Sequence, residues 1–354
     1  MPENKSFRIA PFLVLYSTAH LLVDAACAFL LLGILNLGNH TIAGLLVYNG
    51  LAFVLQAPLG HLIDKVFNPK AAAMLGLLLV ASASFFFKSP FAALSLMGVG
   101  NALFHAGGGS QVLAIRKKTA TYAGIFVAPG AIGLALGAYL ANLQFVSGLM
   151  VFPLTLTLMS VLLLIAGKPV FERKKAESHP GSLFILIAFL LMLPIAIRSL
   201  IGMSVSFTWK EDMYLGLILT ASVVLGKIAG GFLADRWGLV RTGVLSLLIA
   251  APLLAFGAEI PVLALTGILV FNFSMPITLI ALLNTMPNRK GLSFGLSTTA
   301  LFVGALPVIL NLHGWVGNPM VVFSLILIAS ITLLAALKAT PKIKPNQTNT
   351  DNDL

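Results

Sequence analysis

The segments Gly60-His-Leu-Ile-Asp64-Lys65 and Gly231-Phe-Leu-Ala-Asp235-Arg236 decide how the rest of the chain is read. Each runs glycine, three residues, aspartate, base. Each also closes an apolar stretch of the length that crosses a bilayer as a helix. Working outward from them, the 354-residue chain divides into twelve such stretches. The first six cover 10–34, 41–63, 71–87, 91–114, 121–143 and 147–166. The second six cover 182–207, 213–234, 242–257, 261–284, 291–312 and 318–337. The two quoted segments end the second and the eighth span, the same place in each set of six. The expected fold is an all-α membrane protein, with twelve transmembrane helices in two pseudo-symmetric six-helix bundles, 1–166 and 182–338. The polar stretch 167–181 is the expected cytoplasmic linker, and 339–354 the expected disordered cytoplasmic tail.

Composition agrees with this division. Hydrophobic residues make up 58% of the chain and charged ones 9%, with a mean hydropathy of +1.00. A soluble domain is about 25% charged and would expose large apolar patches at this composition. The net charge of +11 does not point to nucleic acid, because the bases sit in short breaks between apolar runs. All but four of the 22 lysines and arginines fall in breaks on one side. The exceptions are Lys88 and Lys210 in opposite breaks, and Arg198 and Lys227 inside spans. Miscounting one span would destroy that asymmetry, so both termini are expected in the cytoplasm of a multi-pass protein of the cell membrane, with a bacterial inner membrane as the expected setting. No small-residue cleavage site follows the first run, which therefore reads as a retained span. Cys27 is the lone cysteine, which excludes an intrachain disulfide or a thiolate metal cluster. No phosphate-cradling loop, HExxH, CxxC or catalytic carboxylate pair occurs. An enzyme, a resident metal and a cofactor are accordingly not expected. The expected partners are a small-molecule substrate, protons and the lipid bilayer, with the chain acting as a monomer.

On these residues the chain resembles the major facilitator superfamily of transporters. The stretch Gly231-Phe-Leu-Ala-Asp235-Arg236-Trp-Gly238-Leu-Val-Arg241 is similar to that family's cytoplasmic signature. The first copy keeps Gly60, Asp64, Lys65 and Lys70 and has Phe67 where a glycine is usual. The resemblance implies that these acids pair with bases and helix ends to latch the cytoplasmic side. Three further segments resemble the fosmidomycin-resistance group of exporters: His20-Leu-Leu-Val-Asp24, Gly100-Asn-Ala-Leu-Phe104-His105-Ala-Gly, and the glycine-rich span 5 from Gly124 to Gly137. Span 5, with Gly124, Pro129, Gly130 and Gly133, is also similar to the superfamily's antiporter signature, with Ala128 in place of a usual glycine. Small residues there are expected to pack the helix tightly, and the signature tilts the expected direction toward export.

A charge at the centre of a bilayer costs at least about 2.5–3.5 kcal/mol, so each one calls for a partner or a wet site. His20 and Asp24 are four apart on one face of span 1 and form the expected proton-coupling pair. The alternative is a buried pair that fixes span 1 against span 4. Asn101 and His105 share a face of span 4 in the same way. With Arg198, Asn272, Lys227 and Gln56 they make up the expected substrate site. Arg198 keeps its charge and forks onto carboxylate or phosphonate groups, the alternative being a side chain that reaches the outer surface. In the family fold spans 1, 4, 7 and 10 line the cavity, and these polar residues concentrate there. Spans 3, 6, 9 and 12, which face lipid in that fold, hold no charged residue and, apart from Asn318 at the start of span 12, no His, Asn or Gln. The expected function is a secondary transporter of a small anionic or zwitterionic solute or drug, exporting it by proton exchange. Proton-coupled import is the second reading, and a non-cycling transporter-like receptor or membrane subunit the third.

Overall fold

The structure, a computed structural model, describes residues 8–115, 119–167, 182–286 and 288–340. Nearly all of the linker expected at 167–181 and of the tail expected at 339–354 lies outside the described residues. Regular structure among the described residues is entirely helical. Twelve long helices follow in order: α1 Ile9–Ile34, α2 Gly38–Lys65, α3 Pro69–Phe86, α4 Pro90–Leu113, α5 Thr119–Asn142 and α6 Gly148–Ile165. The second six are α7 Ser182–Ser204, α8 Met213–Trp237, α9 Leu239–Phe256, α10 Pro261–Thr285, α11 Lys290–Ile309 and α12 Pro319–Ala339.

Local sequence explains several helix starts. Asn68 and Asn318 precede prolines at the first turns of α3 and α12. Their side chains accept the Lys70 and Met320 N–H at 2.9 Å. Asp212 caps α8 by accepting the Leu215 N–H at 2.9 Å. At the other end of a helix, Lys70 Nζ donates to the Leu164 and Ala166 carbonyls at 2.8 and 2.7 Å, satisfying the last turn of α6.

Eleven of the twelve helices are long and apolar enough to cross a membrane. The exception is α4, which has 24 residues but carries Asn101, His105, Ser110, Gln111 and three consecutive glycines. Every residue from Gly100 to Leu113 is buried. Protein surrounds this helix where lipid surrounds parts of the others, so it does not need their hydropathy. A second departure is in α10, which breaks at Asn272–Phe273 between Pro261–Phe271 and Ser274–Thr285. Single π turns widen α1 at Leu30–Ile34 and α2 at Gly50–Val54.

The apolar core has two main bodies, one built from α1–α6 and one from α7–α12. Ile277, Ile280 and Phe294 of the second half also join the first core. The halves meet along two matching seams, α2 against α11 and α5 against α8. Asp64 accepts the N–H groups of Gly291 at 2.8 Å and Leu292 at 2.9 Å, at the start of α11. Asp235 accepts the Ala120 and Thr121 N–H at 3.2 and 2.8 Å and the Thr121 hydroxyl at 2.6 Å, at the start of α5. These N–H groups have no partner within their own helix and carry the positive end of its dipole. A Cβ on Gly60 would strike the Gly291 carbonyl, and one on Gly231 the Ala120 carbonyl, so only glycine lets the backbones come this close. Gly238, at φ +89°, makes the turn from α8 into α9. Lys65, Arg236 and Arg241 stay exposed beside the seams. Helix ends thus receive both carboxylates of the repeated segments.

Removing both carboxylates should loosen this end. With Cys27→Ser as background and Ser110→Cys of α4, buried beside Gly291 of α11, as reporter, Asp64→Asn with Asp235→Asn should speed maleimide labelling roughly fivefold or more. That corresponds to about 1 kcal/mol in the closed-to-open balance. Equal labelling rates would show that the carboxylates do not hold the seams.

Candidate functional site

His20, Asp24, Asn101 and His105 come together between α1 and α4, with α5 closing the third side. His20 Nδ1 lies 2.7 Å from the Phe126 carbonyl of α5. His105 Nδ1 lies 2.9 Å from the Asn101 carbonyl, one turn back on α4. A carbonyl can only accept, so each Nδ1 carries a hydrogen and each Nε2 is left for the interior. The two Nε2 atoms face each other at 2.9 Å, with the rings at 90°. The Asp24 carboxylate completes the group, 3.2 Å from His20 Nε2 and 3.6 Å from His105 Nε2. Its Oδ1 also takes a long contact of 3.4 Å from the Asn101 amide. Three acceptors therefore converge on one point. Neutral imidazoles would aim two lone pairs at each other beside a carboxylate, and one proton between them removes that conflict.

Gly130 supplies the floor. A Cβ there would lie 2.5 Å from both Asp24 Oδ2 and His20 Nε2. Gly133, one turn on, would strike the Leu21 carbonyl of α1, so α5 lies against α1 backbone to backbone. Pro129 stands within α5 immediately before Gly130. Gly124 faces the other way and would meet the Lys227 carbonyl of α8.

Across the seam the second half contributes cations. Lys227 Nζ donates to the Val127 carbonyl at 3.3 Å, next along α5 from the carbonyl that holds His20. Lys227 lies within electrostatic reach of both Asp24 and Arg198. Arg198 is buried at 9% exposure, and its Nη1 has no hydrogen-bond partner among the described residues. A buried guanidinium with an open donor is suited to an anion.

The structure places the remaining candidates apart from this group. Asn272 donates to the Ile268 carbonyl of its own helix at 2.8 Å and sits at the break in α10, against Gly226 of α8. Gln56 is buried against Gly295 in the α2–α11 seam and donates to the Ala52 carbonyl at 2.6 Å, with its Oε1 unpartnered. Several participants carried no sequence signal. The Phe126 and Val127 carbonyls are backbone, and Gly130 reads as ordinary helix packing. Cys27, whose Sγ lies 3.8 Å from the Asn101 amide nitrogen, extends the polar chain beyond Asn101. One signal lay in the sequence unread: Asn101 and Asn272 fall at the same interval after Asp64 and Asp235.

No family model matches the sequence, and no curated protein sequence matches it. The fold does match solved structures. A variant of the Escherichia coli fucose:proton symporter FucP superposes with a TM-score of 0.71 at 15% identity, covering 94% of this chain and 99% of the other. FucP in the outward conformation, a major facilitator superfamily transporter, gives 0.68 at 16% identity, covering 94% and 99%. The human organic anion transporter MFSD10 gives 0.70 at 13% identity, covering 94% and 100%. The chain has the major facilitator fold, an all-helical multi-pass membrane architecture. Likeness at these identities establishes the fold alone.

A methyl group at Gly130 should overpack the cluster. Gly130→Ala is expected to lower stability in detergent by roughly 1–3 kcal/mol. In a His20→Ala background, which removes one of the atoms the methyl would meet, the cost should fall by half or more. Equal costs in both backgrounds would show that Gly130 does not support the cluster.

Proposed function

We propose that the chain is a secondary transporter that moves a small anionic or zwitterionic solute by alternating access and exports it in exchange for protons. The observation that carries this reading is the convergence of His20 Nε2, His105 Nε2 and the Asp24 carboxylate. It faces Lys227 across the seam, and Lys227 in turn lies within electrostatic reach of Arg198. In this reading the cluster holds the coupling proton. The open donor of Arg198 and the Lys227 ammonium receive the negative group of the solute. Asn101 orients Asp24, and Asn272, at the break in α10, contacts the solute from the second half. Gln56 contributes to the site through its unpartnered carbonyl oxygen.

The cycle follows from what each half holds. With the basic end in the cytoplasm, the closed seams at Asp64 and Asp235 define the outward-facing state. A proton taken up by the cluster reduces the pull of Asp24 on Lys227, which stands within electrostatic reach of Arg198. The cations then favour an anionic solute, and occupancy shifts the balance between outward and inward states. Opening the inner end separates α5 from α8, which breaks the Asp235 contacts and the Lys227–Val127 bond together. Export is supported by the resemblance of α5 to the antiporter signature. Import by proton symport uses the same residues, and the likeness in fold to a fucose:proton symporter favours it as the second reading.

In proteoliposomes with an imposed pH gradient, Asp24→Asn should abolish the gradient's effect on solute movement while solute binding persists. A variant that transports like the parent, with the same pH dependence, would place the proton elsewhere. Arg198→Lys, which keeps charge and loses the fork, should weaken binding of an anionic solute about tenfold or more. Unchanged affinity would remove Arg198 from the site. Solutes for both assays come from a thermal-shift screen of small anions and zwitterions, since a ligand of the folded form raises its melting temperature.

A further inference from the structure

We propose that His20, His105 and Asp24 form a binding site for a divalent transition-metal ion of the zinc class. The inference goes beyond the transport reading and rests on donor geometry. Zinc bound by nitrogen and carboxylate oxygen makes bonds of about 2.0–2.2 Å, and in a tetrahedron this spaces neighbouring donors by about 3.3 Å. The two imidazole Nε2 atoms lie 2.9 Å apart, with Asp24 Oδ2 3.2 Å from His20 Nε2 and Asp24 Oδ1 3.6 Å from His105 Nε2, and one donor atom from each residue falls within 4.8 Å of the other two. Among the described residues this is the group of three His, Cys, Asp or Glu side chains close enough to share an ion.

The surroundings also fit. Both imidazoles turn Nδ1 to a backbone carbonyl, Phe126 for His20 and Asn101 for His105, which fixes the ring and leaves the Nε2 lone pair pointing inward. Metal-binding histidines are held in this way. Asp24 is steadied by the Asn101 amide. Its side chain keeps 13% exposure, which leaves a side on which water can complete four ligands. Two imidazoles with one carboxylate select zinc, cobalt or copper over magnesium and calcium, which prefer all-oxygen sites. Two neutral imidazoles and one carboxylate bring a single formal negative charge, so a divalent ion leaves the site with one net positive charge, and Lys227 across the seam opposes its binding. If the carrier reading holds, the ion would also occupy the atoms that take the proton and arrest the cycle. Binding is measured independently of that.

The test uses the purified, tag-free protein in detergent with cobalt(II) as a spectroscopic stand-in for zinc. One equivalent should bind and give the intense visible bands of four-coordinate cobalt. Equimolar zinc should abolish them, and excess magnesium should not. His105→Gln and Asp24→Asn should each lose the bands while retaining a cooperative melting transition. In the unaltered protein, equimolar zinc should raise the melting temperature and magnesium should not. This second readout stands even if a variant fails to fold. A spectrum of weak six-coordinate bands that grows with excess cobalt, or full bands in folded His105→Gln, would overturn the proposal. So would the absence of zinc stabilisation in the unaltered protein.

Discussion

The cost of holding one carboxylate deep among apolar helices governs the arrangement around it. Asp24 cannot reach water freely, and an unpaired carboxylate at that depth is expensive. Its surroundings meet that cost from three directions. α1 brings His20 one turn away, α4 brings Asn101 and His105, and α8 brings Lys227 across the seam. Each partner then needs support of its own. The histidines take theirs from the Phe126 carbonyl of α5 and the Asn101 carbonyl of α4, and Lys227 takes the Val127 carbonyl of α5. Gly130 is small because these atoms occupy the space a side chain would fill.

The same helix ties this site to the basic end. α5 begins at Ala120 and Thr121, where Asp235 of the other half caps it. About two turns further on, its Phe126 and Val127 carbonyls hold His20 and Lys227. Its Gly130 then touches the carboxylate. A rigid helix with contacts at both places gives the seam and the cluster a common element. This is a physical route for coupling, since a displacement of α5 against α8 alters both sets of contacts at once.

Much of this was legible in the sequence because lipid leaves few choices. Backbone groups in hydrocarbon must be satisfied within a helix, so twelve apolar runs become twelve helices. The repeated glycine-to-aspartate segments identified the seams, and the rarity of intramembrane charge singled out Asp24, Arg198 and Lys227. α4 was recognised by length although its composition is too polar for a lipid-facing span, because its polar residues are buried in protein. What sequence did not convey is mostly backbone. The receivers of Asp64 and Asp235 are N–H groups at helix starts, and the anchors of both histidines are carbonyls. Neither has a side-chain signature. Gly130 was legible as a small residue but not as the floor of the cluster, since glycine serves helix packing in many membrane helices.

The matched intervals in the two halves have one more implication. Positions that correspond to His20, Asp24 and His105 in the first half are Leu191, Ile195 and Pro276 in the second, while Asn101 matches Asn272. Leu191 and Ile195 are fully buried apolar residues. If the halves descend from one duplicated bundle, acidic and imidazole groups were retained or acquired on one side only, and the buried arginine and lysine on the other. The interface is therefore polarised parallel to the membrane plane. Under the proposed carrier reading, a molecule carrying opposite charges at its two ends would lie with its anion toward the second bundle and its cation toward the first.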